Sequence, residues 1–73
     1  MERRPVSSSN IASIGWEPDE EGAGTMEVDF HSGHIYRYRN VPETVFQAAL
    51  GASSVGKFIA RSVIGVFDEE RLK

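Results

Sequence analysis

Between Thr25 and Phe30 the chain alternates strictly, with Met26, Val28 and Phe30 apolar against Thr25, Glu27 and Asp29. That is the period-two signature of a strand buried on one face. Ile11 to Trp16 reads as an earlier strand, with Ala12, Ile14 and Trp16 on one face and Ile11, Ser13 and Gly15 on the other. Between them, Glu17 to Gly24 holds a proline, two glycines and four acids, a solvated loop. A third strand runs from Ile35 to Arg39 after the turn signal Ser32-Gly33. A two-residue loop would place Arg37 opposite Val28 on the core face. A three-residue loop, His31-Ser32-Gly33 with Gly33 left-handed, instead pairs Val28 with Tyr36, Met26 with Tyr38 and Glu27 with Arg37. The three-residue register gathers the apolar groups on one face and sets opposite charges across strands on the other, so it is the expected one.

The period then changes to that of helices. Pro42 starts a helix over Glu43–Leu50 that buries Val45, Phe46, Ala49 and Leu50, with Gly51 as its stop. Ser53 or Ser54 caps a second helix from about Val55 to Val66, whose stripe is Phe58, Ile59, Val63, Val66 and Phe67. The expected fold is α+β, a three-stranded antiparallel meander with both helices on one face (β-β-β-α-α). Residues 1–73 form a single domain in this reading, with 1–9 a flexible arm and 68–73 a polar tail.

Composition narrows the function. Twenty-three apolar side chains larger than alanine serve 73 residues, and a domain of this size hides only about 60% of its unfolded surface. A ligand pocket of the usual ~300–1,000 Å³ would hollow out so small a core. A non-catalytic module working from its surface, with no cofactor and no small-molecule substrate, is therefore expected. Cysteine is absent, which removes disulfides and thiolate chemistry. No apolar run spans a bilayer and no signal peptide precedes the domain, so a cytoplasmic location without membrane contact is expected. The net charge of −3 gives no global positive field, so binding to nucleic acid would rest on local cations.

Several motifs reduce to ordinary structure. Gly51-Ala52-Ser53-Ser54-Val55-Gly56-Lys57 approaches a phosphate-binding loop, but Phe58 stands where magnesium chemistry needs Ser or Thr, and a helix precedes it where a strand is required. Lys57 at a helix start could still hold a ligand phosphate. His31 and His34 flank the hairpin, with only Asp29 near enough to join them, too few ligands for zinc, so no metal is expected. Serines 7, 8, 9, 53 and 54 suit turns and caps better than nucleophilic catalysis. The constellation worth pursuing is Tyr36-Arg37-Tyr38-Arg39, aromatics interleaved with arginines as in sheets that bind single-stranded RNA. Alternation sends tyrosines and arginines to opposite faces, which places the tyrosines in the core. Lys57 and Arg61, four apart on one helix face, form a second basic pair on the helical layer.

Pro5-Val6, Ser8-Ser9, Ile11, Ile14-Gly15-Trp16, Tyr36-Arg37-Tyr38, Val41-Pro42, Ser54, Gly56 and Phe58 resemble, in order and spacing, the KTSC domain family. That family takes its name from a C-terminal segment of some lysyl-tRNA synthetases and also occurs as short stand-alone bacterial proteins. The resemblance runs from about Pro5 to Leu72, and its central Tyr-x-Tyr fits Tyr36 and Tyr38. Trp16, Ala60 and the acidic Asp68-Glu69-Glu70 depart from the usual family pattern. Association with a tRNA enzyme implies RNA as ligand, with Tyr36, Arg37, Tyr38, Arg39, Lys57 and Arg61 as the nucleic-acid-binding candidates. The alternative is a protein-interaction or self-association module, a monomer or weak homodimer, using Ile11 and Ile35 on the otherwise polar sheet face.

Overall fold

A computed structural model describes residues 1–73. In chain order its elements are β1 (Arg3–Pro5), β2 (Ile11–Pro18), β3 (Gly24–Phe30), β4 (Ile35–Val41), α1 (Glu43–Gly51), α2 (Val55–Ser62) and β5 (Asp68–Arg71). The strands form one antiparallel sheet in the order β1-β2-β3-β4-β5. The α+β class and the two helices agree with the sequence pattern, but the sheet has five strands where three were expected. Both additional strands are edges. Arg3-Arg4-Pro5 and Asp68-Glu69-Glu70-Arg71 carry no apolar alternation, and backbone pairing to a neighbour's open edge builds them.

The β3–β4 hairpin has the three-residue loop. Phe30 and His34 close it, with the Phe30 N–H donating to the His34 carbonyl at 2.9 Å, and Gly33 takes φ +95°. Val28 faces Tyr36, Met26 faces Tyr38, and Glu27 faces Arg37. Two bulges then adjust which residues reach the core. Pairing jumps between Ile11 and Ser13 on β2, so Ile11 and Ile14, three apart, both turn inward at 1% and 0% exposure. Ile11 therefore lies in the core and not on the open sheet face. Asn40 is the extra residue of β4, held left-handed at φ 60°, and it brings Val41 onto the same face as Tyr38.

Eleven buried residues make one apolar cluster, drawn from β2, β3, β4, both helices and Val63. Helix α1 follows Pro42, which is its extended N-cap, and Glu43 in its first turn complements the helix dipole. It runs through Gly51 and stops at Ala52, whose backbone is extended, so no left-handed glycine ends it. Helix α2 is capped by Ser54, whose hydroxyl accepts the Lys57 N–H at 3.3 Å. It ends at Ser62, four residues short of the expected end, because Gly65 turns the chain at φ +78°. Val66 consequently faces solvent while Val55, Ile59 and Val63 are buried.

Trp16 spans the end of the sheet. Its indole N–H donates to the Val41 carbonyl at 2.8 Å and its ring stacks on Phe46 with centroids 6.5 Å apart. The ring lies flat over Gly24, where any Cβ would run into it. No helix is long and apolar enough to cross a membrane.

Candidate nucleic-acid interface

The six candidate residues divide into three groups. Tyr36 and Tyr38 belong to the core face. Tyr38 is fully buried and its hydroxyl donates to Glu69 Oε1 at 2.7 Å. Burial, reinforced by the Glu69 carboxylate, pushes the Tyr38 phenol well above its usual range. Tyr36 is half-buried, edge-on to Phe30 at 5.8 Å. Neither ring lies flat and open as a platform for a base.

Arg37 and Arg39 occupy the open face of the sheet, where acids meet them. Glu27 on β3 is 5% exposed and is clasped from both sides. Arg3 of β1 donates Nε and Nη2 to its Oε1 at 3.2 and 3.0 Å, and Arg37 donates Nε and Nη2 to its Oε2 at 3.1 and 2.8 Å. Burial alone would raise the Glu27 pKa. The hydrogen bonds and charges of Arg37 and Arg3 outweigh it and hold the carboxyl below the ordinary glutamate value. The same carboxylate raises the Arg37 guanidinium. Arg39 donates to Glu70 Oε1 at 2.8 Å, and Arg37 lies 3.9 Å from the same oxygen. The open face is therefore a ladder of alternating charge running from Arg3 through Glu27 and Arg37 to Glu70 and Arg39. Such pairs leave little cation for a phosphate.

Lys57 and Arg61 behave differently. Both are exposed on α2, on the helical side of the sheet, and neither forms an ion pair. The structure thus does not join the two basic pairs into one patch. Two adjoining surface clefts, of about 470 and 400 Å³, meet at Ser53, Ser54 and Lys57. Ser7, Ser8, Ser9 and Asn10 line the first, while Phe58 and Arg61 line the second. The serine segment is shaped by its own bonds, since Ser8 Oγ accepts the N–H of Ile11 at 3.2 Å and His31 Nε2 donates to the Ser8 carbonyl at 3.0 Å. His34 turns instead toward the chain end, where Arg71 donates to its Nδ1 at 3.1 Å. The two histidines do not converge.

Sequence reasoning did not identify the serine wall of the cleft, or Arg3, Glu69 and Glu70 as partners of the candidate residues. A repeated Ser-Ser pattern ahead of both β2 and α2 was the only available signal for the wall. For the acids there was none, because their roles follow from edge strands that the apolar pattern does not mark.

The KTSC domain pattern matches residues 7–67. An uncharacterised protein of Stutzerimonas stutzeri strain A1501 is 42% identical over 57 residues, which cover 78% of this chain and 76% of the relative. A protein of Tsukamurella paurometabola is 38% identical over 56 residues, covering 77% and 79%. Among solved structures, the crystal structure of KTSC domain protein YPO2434 from Yersinia pestis superposes with a TM-score of 0.88 at 36% identity. The match covers 99% of this chain and 97% of that one.

Proposed function

The chain belongs to the KTSC domain family, and from that premise we propose that it is a small non-catalytic binding module whose ligand is single-stranded RNA, held by its phosphates at the α2 face. The observation that carries this reading is the contrast among the four candidate cations. Arg37 and Arg39 are paired with Glu27 and Glu70 on the sheet, whereas Lys57 and Arg61 stand exposed, without an ion pair and one helical turn apart beside a cleft lined by serines. Two cations at that spacing can follow successive phosphates of a strand, and hydroxyls add contacts to phosphate and 2′-OH groups.

Lys57 also stands where helix physics disfavours it. A cation in the first turn opposes the helix dipole, and acidic residues are the stabilising choice there. Binding an anion offsets that cost. Lys57→Glu is therefore expected to have two opposite effects, a slightly higher melting temperature and a lower affinity for RNA.

A thermal scan followed by circular dichroism tests the first, and fluorescence polarisation with a labelled single-stranded RNA the second. Wild type should bind weakly at low salt, with log K falling against log salt at a slope of about −1.4 for two neutralised phosphates. Lys57→Glu with Arg61→Glu should abolish binding, while Arg39→Glu leaves most of it. Absence of binding by wild type at low salt, or loss on changing Arg39 alone, would refute the assignment.

A further inference from the structure

We propose that β5 is an exchangeable strand, and that the β4 edge it covers accepts the β5 of a second copy of this chain. The strand is attached in an unusual way for part of a sheet. All four of its residues are exposed and none belongs to the apolar cluster. It is held by backbone pairing to β4 and by three polar side-chain contacts, Glu69 on the Tyr38 hydroxyl at 2.7 Å, Glu70 on Arg39 at 2.8 Å and Arg71 on His34 at 3.1 Å. An element that buries so little apolar surface opens at lower free energy than the domain unfolds.

The connection to α2 supplies the hinge. Val63 is fully buried, and Phe67 packs against the core cluster. Between them Ile64 and Val66 are exposed at 41% and 60%, and the reversal depends on Gly65 at φ +78°. Straightened, Ile64-Gly65-Val66 reaches about 10 Å, which carries β5 away from its own sheet together with Phe67, whose packing on the core cluster is remade on the partner.

On a neighbouring copy the same strand meets the same edge. Tyr36 to Arg39 pair with Arg71 to Asp68, and every hydrogen bond of the closed form is remade. The acidic strand is also the occupant that the edge fits electrostatically, because Arg39 and the Tyr38 hydroxyl donate to its carboxylates and Arg37 lies 3.9 Å from Glu70. Exchange by two copies is reciprocal, so the dimer closes about a twofold axis. This inference concerns the sheet edge and stands independently of RNA binding at α2.

The test uses the full chain. Arg39 and Asp68 face each other in register, and antiparallel partners lie within disulfide reach. The chain has no cysteine of its own, so Arg39→Cys with Asp68→Cys reports one contact. After incubation across a range of concentrations and oxidation, a closed monomer gives an internal disulfide. An exchanged dimer gives an intermolecular disulfide, separated on a non-reducing gel and sized by sedimentation. The intermolecular product should grow with concentration. Adding Gly65→Val, which strains the closed turn in both hinges, should raise the dimerisation constant at least about tenfold. Two results overturn the proposal: internal disulfide alone at every concentration without the Gly65 change, or dimers whose disulfides are internal, which would mean another interface. Mixed isotope-labelled and unlabelled wild type gives a check free of the Gly65 change, since exchange produces inter-copy contacts between β4 and β5 and a closed monomer gives none.

Discussion

Removing the Trp16 side chain tests how the sheet is closed at its β2–β3 end. The ring stacks on Phe46, roofs Gly24 and anchors Val41 through its N–H. Deleting a fully buried large aromatic costs about 3–5 kcal/mol. Trp16 is partly exposed, which moves the packing loss toward the lower figure, near 3 kcal/mol. The hydrogen bond to Val41 contributes about 1 kcal/mol more. A chain of this length has about 4–11 kcal/mol in total, so Trp16→Ala removes between a third and nearly all of it. At about 4–8 °C per kcal/mol, its melting temperature should drop by roughly 15–30 °C in a thermal scan followed by circular dichroism. Trp16→Phe separates the two contributions, keeping most of the ring while leaving the Val41 carbonyl without its donor. Its loss should be about 1–2 kcal/mol. A Trp16→Ala variant melting within about 3 °C of wild type would refute the reasoning. It would make the ring a surface group and a candidate for stacking on a base.

Three further outcomes follow from the polar interior and the bulges. Glu27 holds its proton less readily folded than unfolded, so its stabilisation is complete above the unfolded value of about 4.3 and is lost as pH falls through the lower folded value. Glu27→Gln should remove that acid-side slope from pH-dependent urea titrations and lower stability at pH 7. Tyr38 keeps its proton more firmly when folded, so its contribution is intact below about pH 10 and declines as pH rises beyond it. Tyr38→Phe should flatten the alkaline decline and cost about 1–2 kcal/mol through the lost bond to Glu69, measured by chemical denaturation. At Asn40, φ 60° favours glycine. Asn40→Gly should leave stability within about 1 kcal/mol of wild type, while Asn40→Val should lose about 1–2 kcal/mol and disturb the Val41 contact with Trp16.

The parts of the fold that the sequence revealed are those where side-chain chemistry and backbone period agree. The β3–β4 register was legible because only one loop length keeps Arg37 off the core face and opposite Glu27. A serine cap was legible, as Ser53 or Ser54, because the pair directly precedes an amphipathic run, and Ser54 fills it. The bulges were not, since one inserted residue at Ala12 or Asn40 reverses the facing of a strand without changing its composition, and Ile11 was misplaced for that reason. The edge strands were hidden for a related cause. Arg3-Arg4-Pro5 and Asp68-Glu69-Glu70-Arg71 are polar throughout, and their neighbours' open edges and charges hold them in place. That omission carried over to the candidate site. Alternation placed Tyr36 and Tyr38 in the core and Glu27 opposite Arg37, but it gave no sign of β5, whose Glu69 and Glu70 take up the Tyr38 hydroxyl and Arg39.

The central functional claim is one of location, that ligand phosphates meet α2 and not β4. A map of backbone amide shifts on titrating the labelled protein with single-stranded RNA at low salt tests it most directly. The account predicts shifts concentrated at Ser7–Asn10 and from Ser53 to Ser62, diminishing as salt is added, with the β4 amides little changed. Shifts centred on Ile35–Arg39, or none anywhere at low salt, would contradict it.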